Sequence, residues 1–206
     1  MLFDFNGTIS DDEPLLCAIF QQLFAAAGKP LSEEEYFDRL AGLSDAEIVI
    51  TWLGQADPAI VDRKIAHYRE RASDGSTVDH ETRSAVLLAA EHGPVGVVSG
   101  AARAEIEPVL AAAGLRDAVE AIVSMEDVPR GKPEPDGYLR ALELLGLRPE
   151  DAVAIEDSPP GVAAAKAAGL RCAALTRAFS AERLAGADLL AGRVDRELIR
   201  RLVSSE

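Results

Sequence analysis

The sequence predicts an α/β fold, a doubly wound parallel sheet carrying an inserted all-helical cap. Three observations predict it. Short aliphatic runs alternate with helical patterns over the second half of the chain. One strand-like run stands alone at the start. A long stretch of purely helical pattern follows that first run.

The strand-like runs lie at residues 2–5, 95–98, 121–124, 152–155 and 172–175, with helical patterns at 101–113, 136–145 and 159–168. Alternation of this kind with short connections reads as a parallel sheet covered on both faces. In such sheets the site lies beyond the carboxyl ends of the strands, where the strand order switches. From residue 12 to 73 the pattern is helical throughout. Leu15, Leu16, Ile19, Phe20, Leu23 and Phe24 form one apolar stripe, and shorter helices are expected at 33–40, 45–53 and 58–71. The polar stretch SDGSTVD, residues 73–79, reads as a return linker. The expected division is a discontinuous core, residues 1–11 and 76–206, and a cap, residues 12–75, lying as a lid over the end of the first strand.

A chain of 206 residues has room for one well-buried core and a substantial insertion. Hydrophobic residues make up 48% and aromatics 5%, which suits an aliphatic, helix-rich core. Lys plus Arg total 21 against 35 Asp plus Glu, a net charge of −14. That excess of acid excludes the basic footprint that nucleic acid or an anionic membrane requires. Any phosphate site therefore needs its own local cations. Cys17 and Cys172 have no C-x-x-C partner and are expected as two buried, reduced thiols. A strand at the very start leaves no room for a signal peptide, and no apolar run is long enough to span a membrane. The expectation is a cytoplasmic protein; the oligomeric state is not legible.

The chemistry is carried by the polar residues that end each strand. Asp4 ends the first, Ser99-Gly100 follow VGVV, Lys132 follows AIVS within RGKPEPDGY, and Glu156-Asp157-Ser158 follow AVAI. In a parallel sheet these groups converge on one edge. A carboxylate, a hydroxyl beside a helix amino terminus, an ammonium and a carboxylate pair suit phosphoryl transfer. Asp4 can attack phosphorus and split one displacement into two. Mg²⁺ between Asp4 and Asp157 would neutralise both acids. Lys132 supplies a point charge to nucleophile and phosphate. Ser99 and the N–H groups opening the next helix can hold phosphate oxygens, and Gly7 lets the first turn bring its own N–H groups close. Taken singly, Ser99-Gly100 also reads as ordinary turn chemistry, and EDSPPG as a helix cap with Pro159 at the first helical position.

With these motifs in order, the chain resembles the haloacid dehalogenase (HAD) superfamily, in the branch with a helical cap inserted after the first motif. DFNGT is similar to its nucleophile motif D-x-D-G-T/V, VVSG to the second motif, GKPEPDGY to the lysine motif and IEDSPPGVAAAKAAG to the acidic motif. The resemblance implies Asp4 as the phosphorylated nucleophile, Ser99 with Gly100 and Gly7 at the phosphate, and Lys132 as the charge-balancing lysine. It implies Asp4, the Asn6 carbonyl, Glu156 and Asp157 as the Mg²⁺ site. DDEPLL resembles the D-x-E-P-L of phosphatases acting on phosphoglycolate and sugar phosphates, which makes Glu13 a cap-hinge residue. LAGLSDAEIV, with Gly42, resembles the cap loop facing the substrate, expected to be a small phosphorylated metabolite.

Asn6 departs from the motif. The usual aspartate there binds the metal through its carbonyl and moves protons with its side chain, and an amide keeps only the first duty. Four readings stand: a substrate whose leaving group needs little protonation; another acid, Asp11, Asp12 or Glu13, taking over; an Asp→Asn trapping variant; or a relative that binds phosphorylated ligands without turnover. A phosphonoacetaldehyde hydrolase needs a cap lysine facing the site, and Lys29 and Lys64 are not expected there. A β-phosphoglucomutase-like protein expects a histidine where this chain has Glu13-Pro14-Leu15. A receiver domain places its phosphorylated aspartate mid-chain and lacks the insertion. Arg39, Arg63, Arg69 and Arg71 are candidates to reach a substrate anion, and His67, His80 and His92 read as surface residues.

Overall fold

The computed structural model describes residues 1–204. Along the chain lie β1 (Leu2–Phe3), α1 (Glu13–Ala26), α2 (Glu33–Arg39), α3 (Asp45–Leu53), α4 (Pro58–Ala72), α5 (His80–His92), β2 (Gly96–Val98), α6 (Arg103–Ala112) and β3 (Ala121–Val123). There follow α7 (Asp136–Leu145), β4 (Val153–Glu156), α8 (Pro159–Ala167), β5 (Arg171–Leu175), β6 (Leu189–Ala191) and α9 (Arg196–Val203). The strands form one parallel sheet in the order β3-β2-β1-β4-β5-β6. The chain leaves β1 towards one edge through β2 and β3, then returns to its other side at β4. The order therefore switches beside β1, and the carboxyl ends there form the crevice that a doubly wound sheet offers a ligand.

Both faces of the central strands are buried, so they read as continuous aliphatic runs rather than alternating ones. Helix α7 packs on β2 and β3, α8 on β4 and β5, and α5 against α9. The helix α6 begins at Arg103, two residues later than the sequence suggested. Three elements were absent from the sequence reading. β6 is a three-residue edge strand with partly exposed side chains, too short for a run to show. Helix α9 buries only Leu198, Ile199 and Leu202, and α5 opens on the polar His80-Glu81-Thr82 behind an Asp79 cap.

Helices α1 to α4 fill the whole span between β1 and α5. Ser32 and Ser44 form capping boxes with Glu35 and Glu47, which fixes the starts of α2 and α3. The few aromatic residues gather here: Phe20 stacks on Phe24 and Tyr36, and Phe24 meets Trp52. The outgoing and returning linkers lie side by side, with the Asp11 N–H donating to the Thr77 carbonyl at 2.8 Å and Ser10 Oγ to Thr77 Oγ1 at 2.7 Å.

One buried ion cluster joins these helices to the sheet's own helices. Lys64 on α4 is 1% exposed, and its Nζ donates to Asp45 on α3 at 2.9 Å and to both oxygens of Glu105 on α6 at 2.9 and 3.0 Å. Burial pushes the Asp45 and Glu105 carboxyls up, and only the ammonium between them makes two buried acids tolerable. Lys64→Met should therefore lower the unfolding free energy by about 3–5 kcal/mol, the usual cost of breaking a buried pair from one side, read as a fall in the urea midpoint.

Candidate active site

Asp4 follows β1 directly, its N–H held by the Ile155 carbonyl at 2.9 Å, and its carboxylate emerges at the crevice beside β4. Lys132 reaches it from the loop after β3, its Nζ donating to Asp4 Oδ1 and to the Val98 carbonyl at 3.0 Å, and pairing with Glu156 Oε1 at 2.6 Å. Tyr138 donates to the same Glu156 oxygen at 2.5 Å. The Asp157 N–H meets the other Glu156 oxygen at 3.3 Å. Burial alone would lower the lysine, but the Asp4 and Glu156 carboxylates more than reverse that, so Lys132 stays an ammonium. Burial pushes the Asp4 carboxyl up to about 7 against the pull of Lys132. The site thus holds more acid than it can neutralise.

Asp157 sharpens that imbalance. Its carboxyl is pushed well up by burial and by the charges of Asp4, Glu13 and Glu156. Asp4, Glu156 and Asp157 each offer an oxygen within 4.8 Å of the others, all buried. Among the described residues no side chain donates a hydrogen bond to the Asp157 carboxylate. A donor-free carboxylate beside Asp4, with one lysine already shared, fits a hard divalent cation with oxygen ligands. Gly7 makes room for it: its φ is +70°, and a Cβ there would stand 2.0 Å from Asp157 Oδ2.

The phosphate side is arranged differently from expectation in one respect. Ser99 lies at the end of β2, 7% exposed, and Gly100 packs so closely on Ser44 that a Cβ would meet its Cα at 3.1 Å. The N–H groups thought to be open are engaged: Ala101 donates to Ser99 Oγ at 3.0 Å, Ala102 to Glu105 at 3.2 Å and Arg103 to Glu126 at 3.2 Å. The Gly7 N–H is likewise taken, by Asp12 Oδ1 at 3.1 Å.

Asp12 is the residue that sequence reasoning undervalued. Its fully buried carboxylate accepts from Asn6 Nδ2 at 2.9 Å, from the Gly7 N–H and from the Tyr68 hydroxyl of α4. Burial raises it, against these donors. A carboxylate can only accept, so it fixes the Asn6 carboxamide with its nitrogen outward and its oxygen 3.4 Å from Ser99 Oγ. The signal lay in plain view as D-D-E after the first motif.

Glu13 opens α1 and takes a 3.1 Å hydrogen bond from Tyr36; burial, with the Asp12 charge, pushes it up to about 8. Gly42, φ +87°, packs against Ser158 and Pro160, where a Cβ would collide. Both line a cavity of about 40 Å³ over Asp4. Lys64 lines it too, contrary to the sequence reading, while Lys29 sits away on Trp52. A cleft of about 430 Å³ opens beyond Ser99 and Lys132, and another of about 300 Å³ beyond Glu13 and Asp157. Arg39, Arg63, Arg69 and Arg71 are exposed and line none of the three. His80 and His92 are exposed, but His67 is half-buried with an unpartnered Nδ1. Cys17 and Cys172 are buried free thiols, and among the described residues no helix is long and apolar enough to cross a membrane.

Residues 1–175 match the family described as haloacid dehalogenase-like hydrolase. The chain belongs to that family. Validoxylamine A 7'-phosphate phosphatase of Streptomyces hygroscopicus subsp. limoneus is 32% identical, over 92% of this chain and 91% of its own. Hexitol phosphatase B of Escherichia coli is 32% identical, over 82% and 80%. Among solved structures, CbbY from Rhodobacter sphaeroides in complex with phosphate superposes with a TM-score of 0.83 at 29% identity, covering 96% of this chain and 94% of that one. For this haloacid dehalogenase-like chain, Asn6→Asp alone would set two buried carboxyls in contact at Asp12. It should lower stability by about 1–3 kcal/mol, and the exchange Asn6→Asp with Asp12→Asn should recover it, read by thermal unfolding.

Proposed function

We propose that the protein is a Mg²⁺-dependent phosphatase of small phosphomonoesters that works through an aspartyl-phosphate at Asp4, in the cytoplasm. The observation that carries this reading is the buried contact of Asp4 with Lys132, with the donor-free Asp157 beside it, at the switch point of the sheet. The names of the relatives support it, since one is a validoxylamine A 7'-phosphate phosphatase and the other a hexitol phosphatase.

The phosphoryl group enters the cavity over Asp4, its oxygens facing Lys132 and the Ser99 hydroxyl. Asp4, Asp157 and the Asn6 carbonyl, with Glu156 behind them, would hold Mg²⁺, which when bound neutralises the acids and polarises the phosphoryl oxygens. An Asp4 oxygen bonds to phosphorus as the ester P–O bond breaks, and the leaving oxygen takes a proton from water and departs as the alcohol. Lys132 balances the charge of the nucleophile and of the incoming group. Water then attacks phosphorus, the acyl-phosphate P–O bond breaks, and Asp4 is restored with release of phosphate. Asn6 orients by hydrogen bonding but moves no proton. The helices α1 to α4 form the cap, and the narrowness of the cavity means that they swing to admit substrate.

The amide lock between Asn6 and Asp12 favours a second reading, a phosphate-ester binding protein that turns over little or nothing. Phosphate release from small phosphomonoesters, with Mg²⁺ or with chelator, separates the two. The phosphatase reading expects turnover that chelator abolishes and that Asp4→Asn lowers by at least about 10³-fold. Binding without release, in the unmodified chain and in the exchange variant alike, would establish the binding protein instead. The exchange variant Asn6→Asp with Asp12→Asn should raise kcat on alkyl phosphates by about 10²–10⁴-fold, while p-nitrophenyl phosphate, whose leaving group needs no proton, should change little.

A further inference from the structure

We propose that the leaving group of the substrate is an uncharged or aminated polyol, and that the site rejects phosphomonoesters carrying a second anion. This rests on the phosphatase reading of the Asp4 site and names the class of ester it takes.

The wall facing Asp4 across the small cavity decides the matter. Its one cation, Lys64, has three N–H groups, and all three are spent on Asp45 Oδ2 and the two oxygens of Glu105. Two carboxylate oxygens on the same wall remain open. Among the described residues Glu13 Oε1 and Asp45 Oδ1 have no hydrogen-bond partner, although both residues line the cavity. Open acceptors of this kind take hydroxyl or ammonium donors; a carboxylate or a second phosphate offers none when ionised.

The space available points the same way. A cavity of about 40 Å³ accommodates little beyond the phosphoryl group, so the rest of the ester continues into an adjoining cleft, of which the one of about 300 Å³ shares Glu13 and Asp157 with it. That cleft presents Asp11, Glu13 and Asp157, with the faces of Pro14 and Phe37 for C–H groups. Its only cation, Arg177, pairs with Asp11 at 3.7 Å. On the opposite side Arg130 is held by Asp136 at 2.7 Å and Glu134 at 3.0 Å. Each cation bordering the three spaces already faces at least one carboxylate. A second anion would meet open acceptors and cations that already face carboxylates, most loosely at Arg177, whereas a chain of hydroxyls finds acceptors and an apolar face together. A site built to hydrogen-bond hydroxyls discriminates strongly against analogues that lack them.

The test uses sorbitol 6-phosphate, glucosamine 6-phosphate, 2-phosphoglycolate and fructose 1,6-bisphosphate, each in Mg²⁺. Turnover is measured on the unmodified chain and the dissociation constant on Asp4→Asn by calorimetry. Both polyol monophosphates should exceed both doubly anionic esters by about 100-fold or more in kcat/KM and in affinity. Glu13→Leu, which removes the oxygen offered to the substrate hydroxyls, should narrow that gap. If 2-phosphoglycolate or the bisphosphate comes within tenfold of the polyol esters in binding, the inference falls, and turnover of all four leaves the phosphatase reading intact. The expected order of affinities without any turnover upholds the polyol site and ends the phosphatase. Equal binding of all four, or binding of none, overturns the inference.

Discussion

The rest of the site depends on one buried ammonium. Lys132 joins a carboxylate that follows β1 to one that ends β4, and it also takes the Val98 carbonyl at the end of β2. Three strand ends are thereby tied by a single point charge, in surroundings where water contributes little screening. Tyr138 and the Asp157 N–H complete the shell of Glu156, so that this acid serves the lysine and leaves Asp4 and Asp157 to face the cavity. Gly161 allows that arrangement, since a Cβ there would lie within 1.9 Å of the Glu156 carboxylate. A surplus of acid remains after the lysine is counted. That surplus is what makes a divalent cation fit, and it is a local property that the overall charge of −14 does not convey.

The second constraint is the pairing of Asn6 with Asp12. An amide at position 6 looks like a loss when the first motif is read alone. With Asp12 in place it is the half-buried half of a satisfied pair whose acid also secures the Gly7 turn and reaches the Tyr68 hydroxyl on α4. The same carboxylate therefore touches the turn after β1 and the helix α4. Two ion-paired or hydrogen-bonded nodes tie the insertion to the rest of the chain: Asp12, which bonds Tyr68 as well as Asn6 and Gly7, and Lys64 with Glu105, of which Lys64 lines the cavity.

Much of this was legible in the sequence, for identifiable reasons. The central strands are buried on both faces and so appear as aliphatic runs, and the candidate site residues lie at or just past their ends or, for Lys132, in the loop after β3. Asp4, Ser99, Lys132, Glu156 and Asp157 could be found that way. Helix α7 was read to the residue because its apolar positions recur cleanly. The short edge strand Leu189–Ala191 and the helix Arg196–Val203 bury too few side chains to leave such a pattern. Lys64 was misplaced for a different reason: a lysine in a polar helical stretch reads as solvated, and its carboxylate partners lie 19 and 41 residues away. Asp12 was only one of three candidate acids until its donors were seen. Pairings across such distances belong to the tertiary structure.

The central claim is that Asp4 is the group that accepts the phosphoryl unit. Rapid acid quench of the protein turning over a phosphomonoester in Mg²⁺, followed by peptide mass spectrometry, addresses it directly. The account requires one phosphoryl group on the peptide that contains Asp4, absent from Asp4→Asn. A phosphoryl group on any other residue, or turnover that persists in Asp4→Asn, would contradict it.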